Sequence, residues 1–320
     1  MVSRRWFQWS LAGALVGSAC GDPAGSGSEG MDPSGIGEGS TDDGSTTTDD
    51  PAEGTTAADG SSGGAATTDQ PPLDTGDTAE DSSTGDPTGE PPPVGLDDVG
   101  TLVILGDSIG DGGGQAPYYY TLLRDDLAAH YGPIEYHNRA QSGSETGALV
   151  GQIDGLPDQL PGPVVVVITS GGNDMKDDLF AVVAGLDGAL IAQMSANIDA
   201  ALGDLLAPGR FGAGVEVHVF EGNVYDASDG AGDFGSAGCN FAGGLPAIPS
   251  DAMFGRWNDG IRSAVEARGQ TAVDMHEYFY GHGYHATPSW YASDCTHPNS
   301  LGHDQLRRLV FEHVTGESLP

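Results

Sequence analysis

From residue 101 onward the chain alternates between two kinds of apolar pattern. Short runs at 101–105, 134–138, 163–170, 215–220 and 271–275 have the length and composition of strands. Four consecutive valines at 164–167, with no polar alternation, predict a strand buried on both faces, as in a parallel sheet. Between the runs lie longer stretches with helical spacing. Residues 117–131 put Leu122, Leu123, Leu127 and Ala128 on one face, and 179–206, 251–268 and 301–314 read as further helices. Strands alternating with helices predict an α/β domain: a three-layer sandwich around a parallel sheet of about five strands. Two glycine-rich stretches interrupt the pattern. Asp111-Gly112-Gly113-Gly114 reads as a flexible turn, and 226–249 as a surface insertion.

Before residue 98 the pattern vanishes. Residues 1–20 read as an export signal, with Arg4-Arg5, an apolar stretch at 11–16 and then small residues. Ser3-Arg4-Arg5-Trp6-Phe7 resembles a twin-arginine motif, and Val16-Gly17-Ser18-Ala19-Cys20 resembles a lipobox, although Gly17 stands where that pattern prefers leucine. The expectation is lipidation at Cys20 and an exported, cell-envelope or secreted protein, its only membrane contact being this N-terminal anchor. The apolar stretch is too short to span a bilayer as a permanent helix. Residues 21–97 carry 18 of the chain's 47 acids and none of its 11 bases, among Gly, Ser, Thr and Pro. Such a segment cannot bury enough surface to offset its ordering entropy, so it reads as a disordered tether. The third part, 98–320, is the folded domain, and a monomer is expected.

Charge narrows the function classes. The folded domain keeps 29 acids against nine bases, so no basic patch exists to neutralise phosphates, which argues against a nucleic-acid partner.

Three predicted strand ends carry polar residues flanked by glycine: Gly106-Asp107-Ser108, Ser142-Gly143-Ser144 and Gly171-Gly172-Asn173-Asp174. Open α/β sheets place their ligand sites at such carboxyl ends. A fourth segment reads Asp294-Cys295-Thr296-His297-Pro298-Asn299. Acyl transfer needs a nucleophile, a base, a group that orients the base and donors for the oxyanion. Ser108 supplies a hydroxyl, His297 can take its proton, and Asp294, three residues earlier, can hold the other imidazole nitrogen. Backbone N–H groups of Ser108 and Gly143 with the Asn173 amide would receive the developing negative charge. Each residue also has a plain reading: Ser108, Asn173 or Asn299 as a helix cap, His297 as a surface histidine, His303 as a helix residue.

The four blocks in this order resemble the SGNH (GDSL-type) hydrolase family, across essentially the whole folded domain. Ile109 replaces the leucine of the GDSL name. The resemblance implies a flavodoxin-like α/β/α fold and hydrolysis of carboxylic esters without a cofactor. It assigns nucleophile Ser108, base His297, acid Asp294 and oxyanion donors Ser108, Gly143 and Asn173. Gly106-x-Ser108-x-Gly110 also fits the elbow of α/β-hydrolases, but that fold needs several strands before the elbow, and here only the tether precedes it. O-acetyl or short-chain acyl esters on extracellular substrates, glycans included, are expected. Lipid esters are the alternative, and a glycan-binding lipoprotein is an alternative of a different class.

If Cys20 is lipidated, Cys239 and Cys295 remain as a pair in an oxidising compartment. A bond between them would tie the insertion to the Asp294–His297 loop, worth roughly 4 kcal/mol for a loop of this length. Asp226, Asp229 and Asp233 lack EF-hand spacing and read as a plain acidic loop rather than a calcium site. Tyr118-Tyr119-Tyr120 and Trp290-Tyr291 read as core and rim packing before sugar stacking.

Overall fold

The computed structural model describes residues 95–237, 239 and 246–320. The signal at 1–20, Cys20 and nearly all of the tether at 21–97 lie outside the described residues.

Five strands form one parallel sheet in the order β2-β1-β3-β4-β5: β1 Thr101–Gly106, β2 Glu135–Asn138, β3 Val164–Thr169, β4 Val217–Gly222 and β5 Thr271–Val273. This is the flavodoxin-like order, with its switch point between β1 and β3. Every residue of β1 and β3 is buried, as the valine run predicts. The helices are α1 Tyr119–Tyr131, α2 Leu149–Asp154, α3 Gly172–Asp177, α4 Leu179–Val183, α5 Gly188–Leu205, α6 Asp251–Glu266, α7 Met275–Phe279 and α8 Ser300–Thr315. A single 3₁₀ turn at Thr146–Ala148 leads into α2. Leu96 already packs onto the domain, its N–H donating to Val314 O at 2.8 Å.

Three expectations are corrected. The helix at 179–206 is two helices, α4 and α5, because Gly185 takes a left-handed φ of +68° that stops the first. The fifth strand ends at Val273, and Met275 opens α7, capped by the Asp274 side chain accepting from the Glu277 N–H. The insertion is not merely a surface loop: Asp226, Ala227, Ser228 and Phe234 are buried. Asp226 there accepts from the N–H groups of Ser228 and Gly230 and from the hydroxyls of Ser228 and Ser250. Asp229 accepts from the N–H groups of Gly281 and Gly283, and Asp233 takes the Tyr284 hydroxyl and the His285 ring. These acids are occupied in holding the loop, and no group of side chains among the described residues is arranged for a metal.

Trp290 and Tyr291 are also buried, Trp290 stacked on His282 at 3.7 Å, so they pack the domain rather than face a ligand.

Candidate active site

The switch point is where the first and third blocks meet, at the ends of β1 and β3. Gly106 ends β1 with φ +109°, and a Cβ there would overlap the Thr169 carbonyl oxygen on β3. Only glycine lets the two strands stay this close while the chain turns outward. The turn is then fixed by a side chain that the strand-end pattern does not reveal. Gln152, buried on α2, accepts from Gly106 N at 2.7 Å and donates to Gly106 O at 2.9 Å. Its only sequence signal is a lone polar residue between apolar Leu149 and Ile153.

Asp107 lies beneath the nucleophile turn. Its Oδ1 accepts from the Ile109 N–H at 3.0 Å and the Thr169 hydroxyl at 3.2 Å. Burial pushes its carboxyl up to about 6, against the opposing pull of those bonds and of His297.

Ser108 Oγ lies 2.7 Å from His297 Nε2, and His297 Nδ1 lies 2.7 Å from Asp294 Oδ2. A carboxylate only accepts, so Nδ1 carries the proton and Nε2 is left bare to accept from the Ser108 hydroxyl. Asp294 also accepts from the backbone N–H groups of Thr296 and His297, each at 3.0 Å. Partial burial works to raise its pKa, but the bonds from His297 and Thr296 outweigh it and hold the carboxyl below its ordinary range. It is therefore ionised wherever the histidine needs a partner.

The glycines after Ser108 are not slack. Gly113 N donates to Ser108 O at 2.7 Å, and a Cβ on Gly113 would fall 2.7 Å from His297 Nε2 and nearer still to Cδ2. The imidazole lies directly on this glycine. His303, buried in α8, donates from Nε2 to Gly113 O at 2.9 Å and accepts the Tyr119 N–H at Nδ1. Burial pushes its pKa down to about 4, so it stays neutral and serves as a support from α8.

The acid–base turn is closed by its own bonds. Tyr291 and Pro298 form an isolated antiparallel bridge, and Ala292 N donates to His297 O at 2.8 Å. Asn299 caps α8 by accepting from Gly302 N, and its amide donates to Ser289 O and Tyr291 O. Cys239 and Cys295 are joined, with Cα atoms 5.7 Å apart, tying the insertion to this turn.

Asn173 sits in the first turn of α3, after Gly171 in a left-handed conformation. Its Nδ2 donates to Ser144 O at 2.9 Å, linking α3 to the segment that carries Gly143. Gly143 has φ +80°, but a Cβ there meets nothing within 4 Å. Its left-handed backbone calls for glycine, and the space beside it is open. All the residues singled out from sequence at 108, 143, 173, 294 and 297 thus belong to turns on the carboxyl side of the sheet, with Ser108, His297 and Asp294 in one hydrogen-bonded chain.

Beside Ser108 a cavity opens to the surface. Its wall is largely apolar: Met175, Leu179, Val224, Phe234, Met253 and Phe254 among others, with Asn173 and Lys176 at the polar side. Deeper in the sheet, Glu221 on β4 is fully buried, with no hydrogen-bond partner for either carboxylate oxygen among the described residues. Burial, with Asp174 adding to it, pushes its pKa up to about 8.

Among solved structures, the chain is similar to a putative GDSL-like lipase from Parabacteroides merdae, at 18% identity over 70% of this chain and 99% of that one, with a TM-score of 0.50. It is also similar to an extracellular lipase from Streptomyces rimosus (20% identity, 68% and 100% coverage, TM-score 0.46). An acetyl xylan esterase variant from Geobacillus stearothermophilus matches at 18% identity, 69% and 99% coverage and TM-score 0.48. At these identities the likeness is one of fold. No curated protein matches the chain. The GDSL-like lipase/acylhydrolase family matches over residues 104–305, from the middle of β1 into α8. The chain belongs to that family of ester-hydrolysing enzymes.

Proposed function

We propose that the chain is an exported serine esterase acting on esters of apolar acyl groups longer than acetyl. Ser108 Oγ attacks the ester carbonyl while its proton passes to His297 Nε2, and Asp294 steadies the imidazolium. The oxyanion takes hydrogen bonds from the N–H groups of Ser108 and Gly143 and from the Asn173 amide. Collapse expels the alcohol, which takes the proton from His297, and water then releases the acyl group by the same route. Placing the protein outside the cell rests on the reading of residues 1–20.

The observation that carries this reading is the continuous chain Ser108–His297–Asp294, 2.7 Å at each link, at the mouth of an apolar cavity. An acetyl group would leave that wall wet, whereas each further methylene that it covers contributes about 0.8 kcal/mol, near fourfold in binding. Phe180, 80% exposed, and Leu186, 76% exposed, lie on and just after α4, the helix that Leu179 opens.

Nitrophenyl esters of graded chain length test it, with Ser108→Ala as the blank. We expect kcat/KM to rise severalfold per methylene from acetate and then level off when the cavity is full. A preference for acetate, matched by release of acetate from acetylated polysaccharide, would instead favour glycan deacetylation.

A further inference from the structure

We infer that Lys176 is a positioning residue for the oxyanion site: its ammonium fixes and polarises the Asn173 amide. The inference rests on the serine-esterase reading above and deepens it.

Lys176 is the only lysine in the sequence. It sits among acids, with Asp174, Asp177 and Asp178 in the same stretch and Glu145 close by. Burial and the fields of those three aspartates hold the Glu145 carboxyl above its ordinary range. In such surroundings a lysine is expected to pair with a carboxylate. Among the described residues Lys176 forms no ion pair within 4 Å. Its Nζ donates instead to Asn173 Oδ1, at 2.9 Å, and it lines the cavity beside Ser108.

That bond does two things. It sets which way the amide faces: Oδ1 must point to the ammonium and Nδ2 to Ser144 O, so the second Nδ2 hydrogen stays free. A flipped amide would set NH₂ against NH₃⁺ and oxygen against oxygen. A charged donor on Oδ1 also draws electron density from the amide, which strengthens the hydrogen bond that Nδ2–H gives to an oxyanion. The effect grows as negative charge develops, so it belongs to the transition state rather than to substrate binding. Lys176 is also the one base in a stretch, 174–178, whose other ionisable groups are all acids.

The test is a double-mutant cycle with nitrophenyl butyrate, a neutral substrate. Lys176→Met should lower kcat roughly tenfold with KM within about twofold, and Lys176→Arg should restore most of it. In an Asn173→Ala background, itself down on the order of 10²–10³-fold, Lys176→Met should have little further effect, because the residue acts through the amide. Modification of the wild-type protein gives a check independent of folding. Acetylation, which removes the lysine charge, should lower kcat, whereas reductive methylation, which keeps the charge, should largely spare it. Full kcat in Lys176→Met, a loss confined to KM, or losses that multiply in the Asn173→Ala background would overturn the inference. If Asn173→Ala is itself fully active, the oxyanion assignment fails rather than the role of Lys176 alone.

Discussion

Residues 106–114 hang from the middle of the sheet, whereas residues 289–299 reach the same place with no strand behind them. The first turn is held by neighbours far away in sequence: Thr169 on β3, Gln152 on α2 and His303 on α8. The second is held mainly by itself, through the Tyr291–Pro298 bridge, the Asn299 cap and the Asp294 side chain folded onto its own backbone, with one covalent tie to the insertion. Where a turn is fixed by dense packing, an added atom does the damage. Where it is fixed by tethers, a removed bond does. Gly113 is the point of contact between the two, since the His297 ring rests on it.

Gly113→Ala is therefore expected to have the largest effect. Its methyl occupies the place of the imidazole edge, and a displacement near 1 Å of a reacting group costs on the order of 10²-fold in kcat. Thermal unfolding should show the fold intact, and a near-normal kcat would break the contrast. Next comes the tethered turn. The double variant Cys239→Ser/Cys295→Ser should lose up to about 4 kcal/mol of stability in denaturant titration, with a smaller fall in kcat than Gly113→Ala, because Asp294 and His297 keep their local bonds. Gly143→Ala should matter least for activity. Its Cβ has open space, so the cost is the left-handed φ, about 1–2 kcal/mol, read as a fall in stability with a few-fold change in rate.

Glu221 sharpens the comparison from outside the site. Its folded pKa of about 8 lies above the ordinary carboxylate value, so the fold favours the neutral acid. That contribution is fully present below the unfolded pKa, near 4.5, and is lost as pH rises through about 8. The wild type should thus lose stability across this window, whereas Glu221→Gln should flatten the loss and be the more stable protein at pH 8 to 9. Parallel melting curves from pH 5 to 9 read this directly, and identical pH profiles would refute it.

β1 and β3 were legible because a strand buried on both faces has only one pattern to show, an unbroken apolar run such as 164–167. Ser108, Gly143 and Asn173 stood out because polar residues and glycines cluster at the predicted strand ends, and Asp294 and His297 because a three-residue spacing lets the acid reach the imidazole. The α4–α5 break was written in the sequence too, in Gly185 and Asp187, but the apolar spacing on either side masked it. Asp187 spends its carboxylate on Arg256 and Trp257 rather than on capping α5. Gln152 and Lys176 were not legible. Each lies on a short helix that carries other polar residues, and its importance depends on which backbone or amide the fold places opposite it.

The most direct test is labelling with a fluorophosphonate, which phosphonylates a serine, expelling fluoride, only when a base activates it. The account predicts one adduct per folded chain, mapped by peptide mass to Ser108, lost in Ser108→Ala and strongly slowed in His297→Ala. A folded wild-type protein that takes no label, or takes it at another residue, would contradict the assignment of Ser108, His297 and Asp294.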